Sequence, residues 1–226
     1  HGDFIYVGEG TNSTVAVSQL ENGVRNYHNA GKVQASSEPQ DMRLQRMLGH
    51  FTTLLSPKPS EVLVIGFGAG VTAGAVSIDP MVEHVTIAEL EPLVPKVAGE
   101  YFRESNHGVA QNPKVTVHID DGRHFLLTSN TMYDAITADP FDPWTRGAAS
   151  LSTLEFYQLA RKHLKPGGVI TVWLTLYENT IASVQSEIAT FLEAFPNGVV
   201  WGNTNMGQGY DLVLSGTVGD APIDVE

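Results

Sequence analysis

Through residue 35 or so, apolar and polar positions alternate, the period of strands with one buried face. Segments 4–7, 14–20 and 24–27 carry the pattern, and Asn22-Gly23 between the last two reads as a tight hairpin turn. From Pro39 the period lengthens. Met42, Leu44, Met47, Leu48, Phe51 and Leu55 fall at helical spacing and predict a helix over 39–55, stopped by Ser56-Pro57-Lys58-Pro59. The pattern changes again at Glu61. Val62-Leu63-Val64-Ile65 is a continuous apolar run, as expected of a strand covered on both faces. Similar runs recur at 85–88, 115–117, 135–138 and 169–172, with helix candidates between them at 71–78, 92–102, 123–127 and 153–163. Such alternation predicts parallel strand–helix–strand units with right-handed crossovers. A last helix, 181–195, precedes strands at 198–201 and 210–214, which have no helix between them and should close the sheet as an antiparallel hairpin.

Candidate chemistry falls at the strand ends. Gly66, Gly68 and Gly70 occupy the turn after the first buried strand, where glycine lets a ligand approach the backbone. The G-x-G-x-G spacing lacks the third glycine of the dinucleotide fingerprint, and tight packing alone could also account for it. The second strand ends at Glu89, where a carboxylate can accept both hydrogen bonds of a ribose diol. An ordinary helix-start charge is the plainer alternative, especially for Glu91. The third strand runs into Asp120-Asp121-Gly122, where an acid could accept from an adenine amino group. Glycines, acid and acid after successive strands together point to a nucleoside.

The fourth strand leads into Asp139-Pro140-Phe141-Asp142-Pro143-Trp144. Asp139 and Asp142 are the candidate catalytic pair, facing the reactive end of the ligand on a loop stiffened by proline. Beside a sulfonium, a carboxylate can hold a nucleophilic amine in line and accept its proton; for Asp142-Pro143, turn chemistry is the simpler reading. The pattern as a whole predicts an α/β chain of Rossmann-like methyltransferase fold, a doubly wound, mostly parallel seven-stranded sheet. A small N-terminal β-hairpin appendage (1–38) would precede the domain that binds an adenosyl sulfonium (39–226).

These residues resemble the spermidine synthase-like proteins, the polyamine aminopropyltransferases, and most of all their branch fused to membrane transporter-like segments. The resemblance runs from about Tyr6 to Ser215, with its specific stretches at 31–36, 41–50, 64–74, 89–91, 120–123, 139–147, 153–157, 164–168 and 173–178. It implies a β domain on a Rossmann-like core, commonly a homodimer, and a role in polyamine biosynthesis. It also implies that Gln45 and Glu89 hold the nucleoside ribose and its surroundings, that Asp121 reads adenine, and that Asp139 and Asp142 line the transfer site. The implied co-substrate is decarboxylated S-adenosylmethionine or S-adenosylmethionine, without a metal, and the implied partner is a small-molecule amine acceptor.

Three departures keep alternatives open. Ala69 stands where the family usually has an aspartate that binds the donor's aminopropyl ammonium; Leu44 and Arg46 replace a Tyr and a Glu flanking the helix glutamine; and Thr14 replaces an early-strand glutamine. Arg46 could hold the methionine carboxylate of the intact donor. Aminopropyl transfer, methyl or other alkyl transfer, and non-catalytic nucleoside binding are therefore all carried forward.

Composition narrows the field further. A formal net charge of −12 argues against a nucleic-acid binder, and 42% hydrophobic residues can fill a core. There are no cysteines, hence no disulfide and no thiolate site. The histidines show no metal-ligand spacing, and His50 and His163 read as packing or helix-end residues. Asn12-Ser13-Thr14 fits a glycosylation sequon, relevant only to a secreted chain. Trp144 and Tyr177 would either cap a ligand or fill core. No apolar run is long enough to span a bilayer, which favours a soluble, cytoplasmic domain; because the chain opens on His1, a segment upstream, a membrane region among the options, is expected.

Overall fold

The computed structural model describes residues 2–139, 148–177, 179–205 and 208–219. The N-terminal alternation folds into four antiparallel strands, β1 (Gly2–Glu9), β2 (Thr14–Leu20), β3 (Arg25–Asn29) and β4 (Lys32–Ser36), paired in that order. A sheet therefore replaces the expected hairpin. The strand missed from the sequence is β4, a five-residue segment with a single apolar pair split by Gln34. It follows a turn in which both Ala30 and Gly31 adopt positive φ.

The core sheet follows the chain as α1 (Pro39–Leu54), β5 (Glu61–Ile65), α2 (Val71–Ser77), β6 (His84–Glu89), α3 (Leu93–Tyr101), β7 (Val115–Ile119), α4 (Gly122–Thr128) and β8 (Tyr133–Ala138). It ends with α5 (Leu154–Lys162), β9 (Leu164–Thr175), α6 (Ile181–Ala194), β10 (Val199–Asn205) and β11 (Gln208–Thr217). The seven strands lie in the order β10-β11-β9-β8-β5-β6-β7. Those from β9 to β7 are parallel, and β11 runs antiparallel to both β9 and β10.

The continuous apolar run of β5 is explained by the two cores it serves. Val62 and Val64 pack into a cluster with Val71 and Val76 of α2, Val94 and Val97 of α3, and Val15, Val17 and Tyr27 of the N-terminal sheet. Leu63 and Ile65, pointing the other way, join Phe156, Tyr157, Phe191 and Phe195. The first cluster thus extends from the core sheet to the N-terminal sheet. A second link is polar: Glu91 accepts from the backbone N–H groups of Asn12 (2.6 Å), Ser13 (3.3 Å) and Leu93 (3.0 Å).

Strand order reverses at β5, flanked by β6 on one side and β8 on the other. In open α/β sheets the crevice outside the strand carboxyl ends at this switch point is where ligands bind.

Candidate active site

At the switch point β5 turns sharply. Gly66 (φ 90°), Gly68 (φ 52°) and Gly70 (φ 80°) all occupy the left-handed region. A Cβ on Gly66 would lie 3.1 Å from the Asp139 carbonyl oxygen, so glycine lets the ends of β5 and β8 close on one another. The same Cβ on Gly68 would meet nothing within 4 Å, which leaves that backbone open to a ligand.

Glu89, the last residue of β6, is 2% exposed. Its Oε2 accepts from the Phe67 backbone N–H and its Oε1 from that of Glu91, each at 2.8 Å. Burial raises its pKa, against the lowering effect of those backbone donors. A carboxylate has about four lone-pair positions, so these two bonds leave capacity for further donors. Glu91 is the structural member of the pair. Burial pushes its pKa up, but the backbone donors around it outweigh that and leave it lowered.

After β7, the backbone N–H of Asp120 donates to the Glu89 carbonyl at 2.9 Å, which seats this loop beside β6. Asp121 caps α4, accepting from the His124 backbone N–H at 2.9 Å. Gly122 starts that helix; a Cβ there would lie 2.5 Å from Ile65, so only glycine lets α4 approach the end of β5. His124 pairs with Asp120 at 2.8 Å.

Beyond β8, Asp139 is half-buried and its Oδ2 accepts from the Thr72 hydroxyl of α2 at 2.9 Å. Burial, partly offset by that bond and reinforced by the nearby Asp41 charge, pushes its pKa up to about 6. Asp139 opens on a cleft that also takes in Gln45, Gly68, Ala69 and Tyr177. The structure therefore brings these residues together, while Glu89, Asp121 and Gly122 sit at neighbouring strand ends outside the cleft lining. Asp142 and Trp144 lie outside the described residues. Arg46 does not line the cleft. It is exposed on α1, and its charge, with that of His50, adds to the burial that lowers the His107 pKa. His163 caps the end of α5, its ring 2.9 Å from the Thr131 carbonyl, a structural contact.

The cleft lining also includes residues to which sequence reasoning assigned no site role, among them Asp41, Trp173 and Asp211. Asp41 lies in the first turn of α1 and accepts from Ser36 at 2.7 Å. Asp211 lies in β11, opposite Thr175 of β9 and Asn203 of β10, and is fully buried. Burial pushes its pKa up to about 6; the Trp173 indole and the Asn203 side chain temper the rise, and Asp41 and Asp139 add to it. Neither neighbour reaches hydrogen-bond geometry, so both Asp211 carboxylate oxygens are unpaired among the described residues. One signal in the sequence could have found it: an aspartate, poorly suited to strands, just ahead of the apolar run Leu212-Val213-Leu214. The cleft thus gathers the carboxylates of Asp41, Asp139 and Asp211, and no lysine, arginine or histidine is among its described lining residues.

Counted from β5 as first, the core strands run 3-2-1-4-5-7-6 across the sheet, with the site at the switch point; together these define a Rossmann-like protein of methyltransferase topology. The spermine/spermidine synthase domain profile matches residues 41–199, and the chain belongs to that family. It is 34% identical over 173 residues to the polyamine aminopropyltransferase of Oceanobacillus iheyensis, covering 76% of this chain and 33% of that protein. Against the spermidine synthase of Schizosaccharomyces pombe it is 32% identical over 198 residues, covering 85% and 64% respectively. The chain therefore spans less than two thirds of either relative. A spermidine synthase solved in complex with the transition-state analogue AdoDATO superposes with a TM-score of 0.86 at 24% identity, over 98% of this chain and 74% of that one, a likeness of fold. Among the described residues, no helix is long and apolar enough to cross a membrane.

Proposed function

We propose that this chain transfers an aminopropyl group from decarboxylated S-adenosylmethionine to a small amine. The observation that carries the reading is the cleft of three carboxylates, with no cation among its described lining residues, set against the glycine turn at the switch point. A cationic amine is the natural occupant of such a site. Family membership and the names of the relatives support the same chemistry.

In the proposed reaction the amine nitrogen attacks the aminopropyl carbon bonded to the sulfonium. A carbon–nitrogen bond forms and the carbon–sulfur bond breaks, its electron pair passing to sulfur to leave a neutral thioether nucleoside. The nitrogen sheds a proton. Asp139 would take it, because a carboxyl with a pKa near 6 is ionised at neutral pH yet basic enough to accept. Thr72 fixes its orientation. Gln45 and the open backbone at Gly68 would flank the nucleoside, Glu89 would take ribose hydroxyls with its spare lone pairs, and Asp121 would read adenine while it caps α4. Asp142 is retained as the second carboxylate of the transfer loop.

Methyl transfer from the intact donor fits less well. The guanidinium that could have held the donor's carboxylate, on Arg46, stands outside the cleft, and the carboxylates that are present would repel one. The decisive experiment incubates the protein with decarboxylated or intact S-adenosylmethionine and a panel of diamines and measures both 5′-methylthioadenosine and S-adenosylhomocysteine. Amine-dependent 5′-methylthioadenosine release from the decarboxylated donor supports the reading; S-adenosylhomocysteine formed from the intact donor, with no 5′-methylthioadenosine from the decarboxylated one, overturns it.

The resemblance also suggests a homodimer, and the exposed Phe4, Ile5 and Val7 of β1 offer an apolar surface for one; sedimentation at micromolar concentration tests this. A transporter-like membrane segment joined to this chain, with the enzyme facing the cytoplasm, is a separate proposal, tested by fractionating the full-length product between membrane and soluble extracts.

A further inference from the structure

We propose that Asp211 is the carboxylate that receives a substrate ammonium group in the cleft, and so sets its specificity for cationic ligands. The inference rests on the aminopropyl-transfer reading and adds a residue to it.

The three carboxylates of the cleft differ in how they are engaged. Asp139 is held by Thr72 and Asp41 by Ser36. Asp211 is fully buried, and neither of its oxygens has a hydrogen-bond partner among the described residues. The Trp173 indole nitrogen, on the adjacent strand, is also buried without an acceptor in hydrogen-bond geometry. Buried polar groups are nearly always paired, and a carboxylate carries the largest penalty when it is not. A carboxylate in this state is explained if a ligand brings the donors.

An ammonium group suits it. It offers three N–H donors and a charge opposite to that of a carboxylate already removed from water, so that the pairing offsets the ammonium's own desolvation. Asp211 is also held rigidly. Its backbone lies in register between β9 and β10, so the side chain's origin is fixed by ladders on both sides. Ala69, which lines the same cleft, contributes no charge. The ammonium could belong to the donor's aminopropyl tail or to the acceptor amine, since the recognition chemistry is the same.

The test is calorimetric, on the wild-type protein, Asp211→Asn and Asp211→Ser, the serine variant standing in should the asparagine variant not fold. Three probes are titrated: 5′-methylthioadenosine, which has no ammonium; decarboxylated S-adenosylmethionine; and 1,4-diaminobutane with the nucleoside present at saturation. The expected result is a loss of about tenfold or more for an ammonium-bearing probe, with 5′-methylthioadenosine affinity unchanged within about twofold. A loss confined to the donor puts its tail on Asp211, and a loss confined to the diamine puts the acceptor there. Wild-type affinity of a folded variant for both ammonium probes overturns the assignment and leaves the transfer reading standing. A wild-type protein that binds the nucleoside but neither ammonium probe overturns both.

Discussion

Two pairs of acids sit at the carboxyl end of the core sheet, and their surroundings differ. On the β6 side, Glu89 and Glu91 are each 2% exposed, yet backbone N–H groups reach both carboxylates. On the β8–β11 side, Asp139 accepts one hydroxyl and Asp211 accepts nothing among the described residues. Burial alone therefore does not mark a ligand site. Donor supply separates the two: where the backbone fills the lone pairs, the acid organises the fold, and where it does not, the acid is available for chemistry. Glu89 stands between the two cases, because it ties the Phe67 turn to β6 while keeping lone pairs to spare.

The largest effect that could break this contrast is catalytic. Asp139→Asn should lower turnover by about 100-fold or more, the usual worth of a positioned proton acceptor, while nucleoside affinity changes by less than about twofold. Steady-state 5′-methylthioadenosine release beside calorimetry checks both halves, and normal turnover would remove Asp139 from the reaction. Next comes Glu89→Ala, which orphans two buried N–H groups. It should destabilise the fold by roughly 2–4 kcal/mol in denaturant titration and also weaken nucleoside binding. An unchanged affinity would make Glu89 purely structural.

Smaller effects appear in the pH dependence of stability, and there Glu91 and Asp211 should have opposite signs. Glu91 has a lowered pKa in the folded chain, so its contribution is complete above the unfolded value of about 4.5 and is lost as pH falls through the folded value. Glu91→Gln should cost about 1–2 kcal/mol at pH 7 and progressively less below about pH 4. Asp211 rises from 3.8 to about 6, so the folded chain holds the proton more tightly and loses stability as pH climbs from about 4 to about 6. Asp211→Asn should therefore gain roughly 2 kcal/mol relative to wild type at pH 8 and nothing at pH 4. Urea titrations at both pH values decide the sign.

The sequence revealed the core of the molecule better than its rim. Residues buried on both faces, such as Val62 to Ile65, leave a run that few other structures permit, and the glycines and acids at strand ends follow from where a parallel sheet binds ligands. β4 was missed because its burial comes from partners supplied by β3 and α1, which a five-residue window does not contain. In the site, the distinction between Glu89 and Glu91 was legible because one ends the strand and the other lies past it. Asp211 was not. Its importance depends on the antiparallel return of β11 to the edge of β9, which carries it, far along the chain, into the lining of the crevice that Gly68 and Asp139 share. Arg46 failed for the complementary reason: adjacency to Gln45 along a helix puts the two side chains on different faces, so only the glutamine reaches the cleft.

The measurement that bears most directly on the cleft as an ammonium site is a paired calorimetric titration of the purified chain with decarboxylated and with intact S-adenosylmethionine. Three carboxylates, with no cation among the described lining residues, should favour the decarboxylated donor, by about tenfold or more, because only the intact one brings a carboxylate into an acidic cleft. Equal or tighter binding of the intact donor would contradict that electrostatic assignment and move the chemistry to methyl transfer.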